Sequence, residues 1–114
     1  MATSSLSPQM VTTLSAIATV QCVAEAYQDY HVLPDLRNVM TIAQDSEGLV
    51  KVHRHHLGHT IAWGEELLLE AAAIHATTTH PTARTVLYVM MSRLGTSLDE
   101  LRKIKEERFS DQQT

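Results

Sequence analysis

Leu87-Tyr-Val-Met-Met-Ser-Arg-Leu-Gly-Thr-Ser-Leu-Asp-Glu-Leu-Arg-Lys-Ile-Lys-Glu106 is the stretch whose division settles the architecture. Apolar residues recur at helical spacing on both sides of Gly95. Ala83, Val86, Leu87, Met90 and Leu94 precede it, and Leu98, Leu101 and Ile104 follow it. Glycine is favoured just past a helix end because it adopts a left-handed backbone without a Cβ penalty. Ser97 and Glu100 have the spacing of a capping box, which would start a new helix. The stretch therefore reads as two helices joined by a short turn at Thr96-Ser97.

Upstream, Thr77, Thr78, Thr79 and His80 before Pro81 predict a loop, since β-branched residues and the pre-proline position both oppose helix. A long helix is expected over roughly 49–76, with Val50, Leu57, Ile61, Gly64 and Leu68 on one stripe. Gly58 and Gly64 each cost about 1 kcal/mol against alanine, so Gly58 marks the place for a kink. The other use of such glycines is close approach of a neighbouring helix. Before it, Leu36, Val39, Met40 and Ala43 predict a short helix from Asp35 to Asp45, stopped by Ser46-Glu47-Gly48. Ser7-Pro8 is a start signal for the first helix. That helix carries one stripe at Met10, Leu14, Ile17 and Ala18 and another at Val20, Val23, Tyr27 and Tyr30. The expectation is all-α: a compact bundle of about five helices forming one domain over 1–114, with 1–6 and 110–114 as frayed tails.

Composition narrows the function. With 114 residues the chain buries roughly two-thirds of its surface on folding, enough for one core. A single cysteine excludes an internal disulfide framework and agrees with a reducing, cytoplasmic home. A net charge of −4 argues against a wholly basic nucleic-acid coat. Met10 to Ala24 is apolar but contains Thr12, Thr13, Ser15, Thr19 and Gln21. No basic residue precedes it, the first being Arg37, so neither a signal peptide nor a membrane partner is expected. Catalysis is not expected either. Cys22 lies in an apolar helix and reads as a small buried hydrophobe. There is no glycine-rich phosphate loop, and Glu65 and Glu66 diverge on a helix. No cofactor and no small-molecule substrate are indicated.

Three features point toward binding. Residues 87–106 resemble a helix-turn-helix, with Met91 four residues before the turn glycine and Leu101 and Ile104 at the buried positions of the recognition helix. The resemblance implies a DNA-binding transcriptional regulator. Arg93, Ser97, Arg102, Lys103, Lys105 and Arg108 would then be the nucleic-acid contacts. The second feature is the histidine run His53, His55, His56 and His59. On a helix, His55 and His59 lie one turn apart with Glu66 on the same side, a candidate set for a divalent metal.

The third feature is apolar surplus. Two faces on the first helix, together with Trp63, Leu67, Leu69 and Ile74 off the main stripe of the long one, exceed what one small core can hide. That surplus predicts a small non-enzymatic regulator or adaptor binding another protein, foremost a second copy as a homodimer. Leu14, Ile17, Tyr27, Trp63 and Leu67 are its candidate contacts. DNA binding stands second, and a histidine-rich metal-binding bundle third.

Overall fold

The structure is a computed structural model and describes residues 7–28 and 46–109. The described residues form three helices, α1 (Pro8–Gln28), α2 (Ser46–Thr77) and α3 (Pro81–Arg108). The architecture is all-α, as expected, but the count of about five helices is overturned. The helix expected over 35–45 and the tails 1–6 and 110–114 lie outside the described residues. Ser46-Glu47-Gly48, expected to stop a helix, instead opens α2. That helix then runs unbroken through Gly58 and Gly64 for 32 residues, about 48 Å.

The largest correction concerns Gly95, where α3 continues without a turn for 28 residues. No glycine adopts a positive φ. Thr96 behaves as a helix-interior residue, its hydroxyl donating to the Ser92 carbonyl four residues back at 3.3 Å. The physical reason is one of magnitude. Leu87, Leu94, Leu98 and Leu101 are each at most 1% exposed, and each such burial contributes about 1.5–3 kcal/mol. All four stay in phase only if the helix continues. A mid-helix glycine costs about 1 kcal/mol, so packing prevails over the stop signal.

α1 starts where Ser7-Pro8 predicts, the Ser7 Oγ accepting from the Met10 N–H at 3.1 Å. Its core stripe is Met10, Thr13, Ile17, Val20, Ala24 and Tyr27, which threads between the two stripes expected from sequence. Contacts fix the topology. Thr13 near the start of α1 meets Glu70 late in α2, while Tyr27 near its end meets His53 early in α2. The two helices are therefore antiparallel. Tyr27 also packs edge-on to Phe109 just beyond α3, so α1 and α3 run parallel. The bundle is up-down-up, its α2–α3 connection only Thr78–His80. At mid-height, Gly64 lets α2 approach its neighbours: a Cβ there would lie 2.5 Å from Leu98 Cδ2 and 3.5 Å from Val20 Cγ1. The close-approach use of glycine applies to this residue.

Candidate functional site

The two ends of the bundle differ in chemistry. At the end where α1 and α3 finish, Tyr27, His53, His56 and Phe109 form a buried cluster. The Tyr27 hydroxyl lies 2.6 Å from His53 Nδ1 and 3.1 Å from His56 Nδ1. A phenol has one proton, so it donates to one imidazole nitrogen and accepts from the N–H of the other. With both rings neutral, they hold opposite tautomers. Burial pushes the Tyr27 phenol well above its ordinary range, and the nearby Arg108 cation pulls it back in part. His56 is lowered by burial first, then by the neighbouring His59 and His55. Arg108 donates to the Tyr27 carbonyl at 2.6 Å, tying α3 to α1. The site is thus a polar clamp holding three elements together.

The opposite end is nearly free of charge. From Leu69 to Ser92, spanning the end of α2 and the start of α3, the charged residues are Glu70 and Arg84. Both are engaged. Glu70 accepts from the Thr13 hydroxyl at 2.9 Å. Arg84 donates to the carbonyls of His75 and Thr78, at 2.8 and 3.0 Å, covering the end of α2. α1 contributes one charged residue, Glu25, and that lies toward the other end.

Exposed large apolar side chains collect in this uncharged half. They are Leu69 at 74%, Tyr88 at 65%, Val11, Val86 and Val89, with Trp63 apart from them. Helix phase places them. Glu65 meets Arg102 across the α2–α3 groove at 2.6 Å. Stepping by four and three residues from Glu65 gives Leu69, Ala72 and Ala76. Stepping back by sevens from Arg102 gives Gly95 and Tyr88, so these residues line the same groove. On the other flank, Gln21 and Glu25 of α1 share a shallow cleft with Arg93 and Ser97. The same stepping leads to Val11 and Leu14 on α1 and to Val86, Val89 and Met90 on α3. The first half of α3 is therefore a ridge with an apolar groove on either side.

The residues expected from sequence fall elsewhere. Of the protein-contact set, Ile17, Tyr27 and Leu67 are buried in the bundle and Leu14 is half-buried against the core. Trp63 is 37% exposed, but it lies on the stripe of His56 and Glu70, over the α1–α2 groove. Among the DNA-contact set, Arg102 pairs with Glu65 and Asp99, Arg108 is bound to α1, and Lys105 passes over Gly58. Arg93 and Lys103 are exposed, and Ser97 is half-buried. With α3 unbroken, no turn sets off a recognition helix, so the helix-turn-helix resemblance is overturned. The metal set is not assembled either. His55 and His59 stack with ring centroids 6.5 Å apart, but Glu66 is two turns further on. No group of three or more His, Cys, Asp or Glu able to hold a metal occurs among the described residues. Cys22, expected inside, is exposed.

The apolar surplus read from sequence included Leu69, which is exposed, but Val11, Val86, Tyr88 and Val89 were missed as an exposed face. A signal existed in the charge-free run Thr85 to Ser92 inside a helix that is otherwise rich in charge. No helix among the described residues is long and apolar enough to cross a membrane. Comparison of the chain with protein-family models, with curated proteins and with solved structures finds no match.

Proposed function

We propose that this protein acts by binding a protein surface, as a small non-enzymatic helical regulator or adaptor. Its contact face is the uncharged ridge made by the first half of α3. The observation that carries this is the gathering of five exposed large apolar residues, Val11, Leu69, Val86, Tyr88 and Val89, where charge is absent or engaged. Contiguous exposed apolar surface costs solubility, and proteins keep it where a partner covers it. Aromatic residues such as Tyr88 are suited to be its anchors. At the other end Tyr27, His53 and His56 are bound to one another, which fits a structural role for that cluster. The exposed thiol of Cys22 suits a reducing cytoplasm.

The test is site-specific photo-crosslinking in the producing cells. A photoreactive amino acid in place of Tyr88 should give discrete protein adducts, and the same group in place of Lys103 should not. Absence of adducts at position 88 would overturn the proposal.

A further inference from the structure

We infer that the Tyr27–His53–His56 cluster is an acid-opened latch. It fastens the ends of α1 and α3 to the start of α2 while both imidazoles are neutral, and releases them once both carry an added proton. The inference is independent of the protein-binding face, which lies at the other end of the bundle.

Proton counting is the first reason. Tyr27 Oη faces two Nδ1 atoms, at 2.6 Å for His53 and 3.1 Å for His56. It donates its one proton to one ring and accepts an N–H from the other. A first added proton goes to Nε2 of the donating ring and disturbs neither bond. The accepting ring already carries its hydrogen on Nε2, so the second proton goes to Nδ1. That nitrogen then aims a hydrogen at the hydroxyl that was donating to it. The phenol can accept from both rings only by turning its own hydrogen away inside a buried site, a loss that burial makes costly.

The surroundings are the second. On α2, Arg54 reaches to the Phe109 carbonyl, and His55 and His59 stand beside His56. From α3, Arg108 bonds the Tyr27 carbonyl and Lys105 lies over Gly58. Glu25 of α1 lines a separate cleft with Arg93. Glu100 and Glu107 line another, with Lys103, Arg108 and Tyr27, to which α2 contributes no residue. The groups described along α2 and its contact with α3 here are thus cations, and a second imidazolium adds to them. Burial, then His59 and His55, already lower the proton affinity of His56. The opened state therefore binds the protons first. Closure is complete above an ordinary imidazole pKa of about 6.5 and is lost as pH falls below it.

Connectivity is the third. The Phe109 ring lies 5.3 Å from that of His53 and 5.8 Å from that of Tyr27. Displacing His53 removes the packing that closes the end of α3, and the Tyr27 anchor of α1 goes with it. The other end keeps its buried Ala83 and Leu87 and its short connection, so the opening is local.

Residue-resolved amide hydrogen exchange on the full chain, from about pH 7.5 to about pH 5 and corrected for intrinsic rates, tests this. Protection across 24–28, 51–57 and 104–109 should fall by more than tenfold per pH unit below about pH 6.5, since one titrating ring gives at most tenfold. Protection across 66–76 and 82–92 should hold. His56→Gln should bring the slope to tenfold or less, and His80→Gln, at the other end, should leave it unchanged. Uniform loss of protection along all three helices would overturn the inference. So would a wild-type slope of tenfold per pH unit or less. Nitrogen NMR of the histidine rings near pH 8 adds a check that needs no variant. One of His53 and His56 should carry its hydrogen on Nδ1 and the other on Nε2, and two rings of the same tautomer would refute the latch.

Discussion

Tyr27 ties the end of α1 to both α2 and α3. Its ring is fully buried, its hydroxyl serves two imidazoles, and its carbonyl anchors Arg108. Tyr27→Phe keeps the ring but leaves the buried His53 and the half-buried His56 each with one partner fewer. A cost of about 1–3 kcal/mol is expected in urea unfolding near pH 8, and an unchanged midpoint would show that the hydroxyl is dispensable. His56 gives the cluster a pH dependence whose sign follows from its depressed proton affinity. The unfolded state, with an ordinary imidazole pKa of about 6.5, takes up the proton first. Stability contributed by the neutral ring is present above that value and is lost as pH falls through the lower folded value. Wild-type stability should therefore drop as pH falls below about 6.5, and His56→Gln should flatten the drop. An equally steep fall in the variant would move the effect to another group. Nothing in the residue order announced this cluster. His53 and His56 are legible as neighbours, but Tyr27 and Phe109 join them only through the packing of distant segments.

Gly58, Gly64 and Gly95 make a graded test at the level of elements. A Cβ at Gly95 meets nothing within 4 Å, and one at Gly58 meets Lys105 Cε at an ordinary 3.5 Å. Gly95→Ala and Gly58→Ala should each raise stability by about 1 kcal/mol, the helix-propensity gain alone. Gly64→Ala should lower it, because a Cβ 2.5 Å from the buried Leu98 forces repacking that costs about 1–3 kcal/mol. A loss on Gly95→Ala would mean that the backbone turns there after all. The same residue explains how far the elements could be read from sequence. The start of α1 and the loop before Pro81 follow from local chemistry that nothing overrides. At Gly95, packing overrides local chemistry. Glycine, Thr96 and the Ser97–Glu100 spacing all suggest an end and a fresh start. Yet Leu87, Leu94 and Leu101 stand seven apart across it, a phase that a turn would break. The sequence therefore held both signals, and only their relative energies decide. The binding face was harder to read, because whether an apolar residue lies inside or outside depends on which flank of a helix meets its neighbours. That flank is set by contacts such as Glu65–Arg102 and Gly64–Leu98, which join helices far apart in sequence.

For the whole molecule, polarity is divided along the bundle axis, so the two ends should answer differently to solvent. Partner binding through the uncharged face should be nearly indifferent to sodium chloride between about 0.05 and 0.5 M, since few charges are there to screen. A tenfold weakening with salt would place the contact at the charged end instead. Trp63 offers an internal control, being the single tryptophan of the chain and lying over the α1–α2 groove. Its emission maximum should stay constant when a partner covers the α3 ridge and shift only on unfolding. The shortness of the Thr78–His80 connection has a kinetic consequence. The two longest helices are consecutive in the chain, so bringing them together closes a very small loop and forfeits little chain entropy. The α2–α3 hairpin is thus the expected nucleus, with α1 docking on it after the rate-limiting barrier. Leu94→Ala should then slow refolding, while Ile17→Ala should chiefly hasten unfolding, a contrast that paired stopped-flow limbs would read out directly.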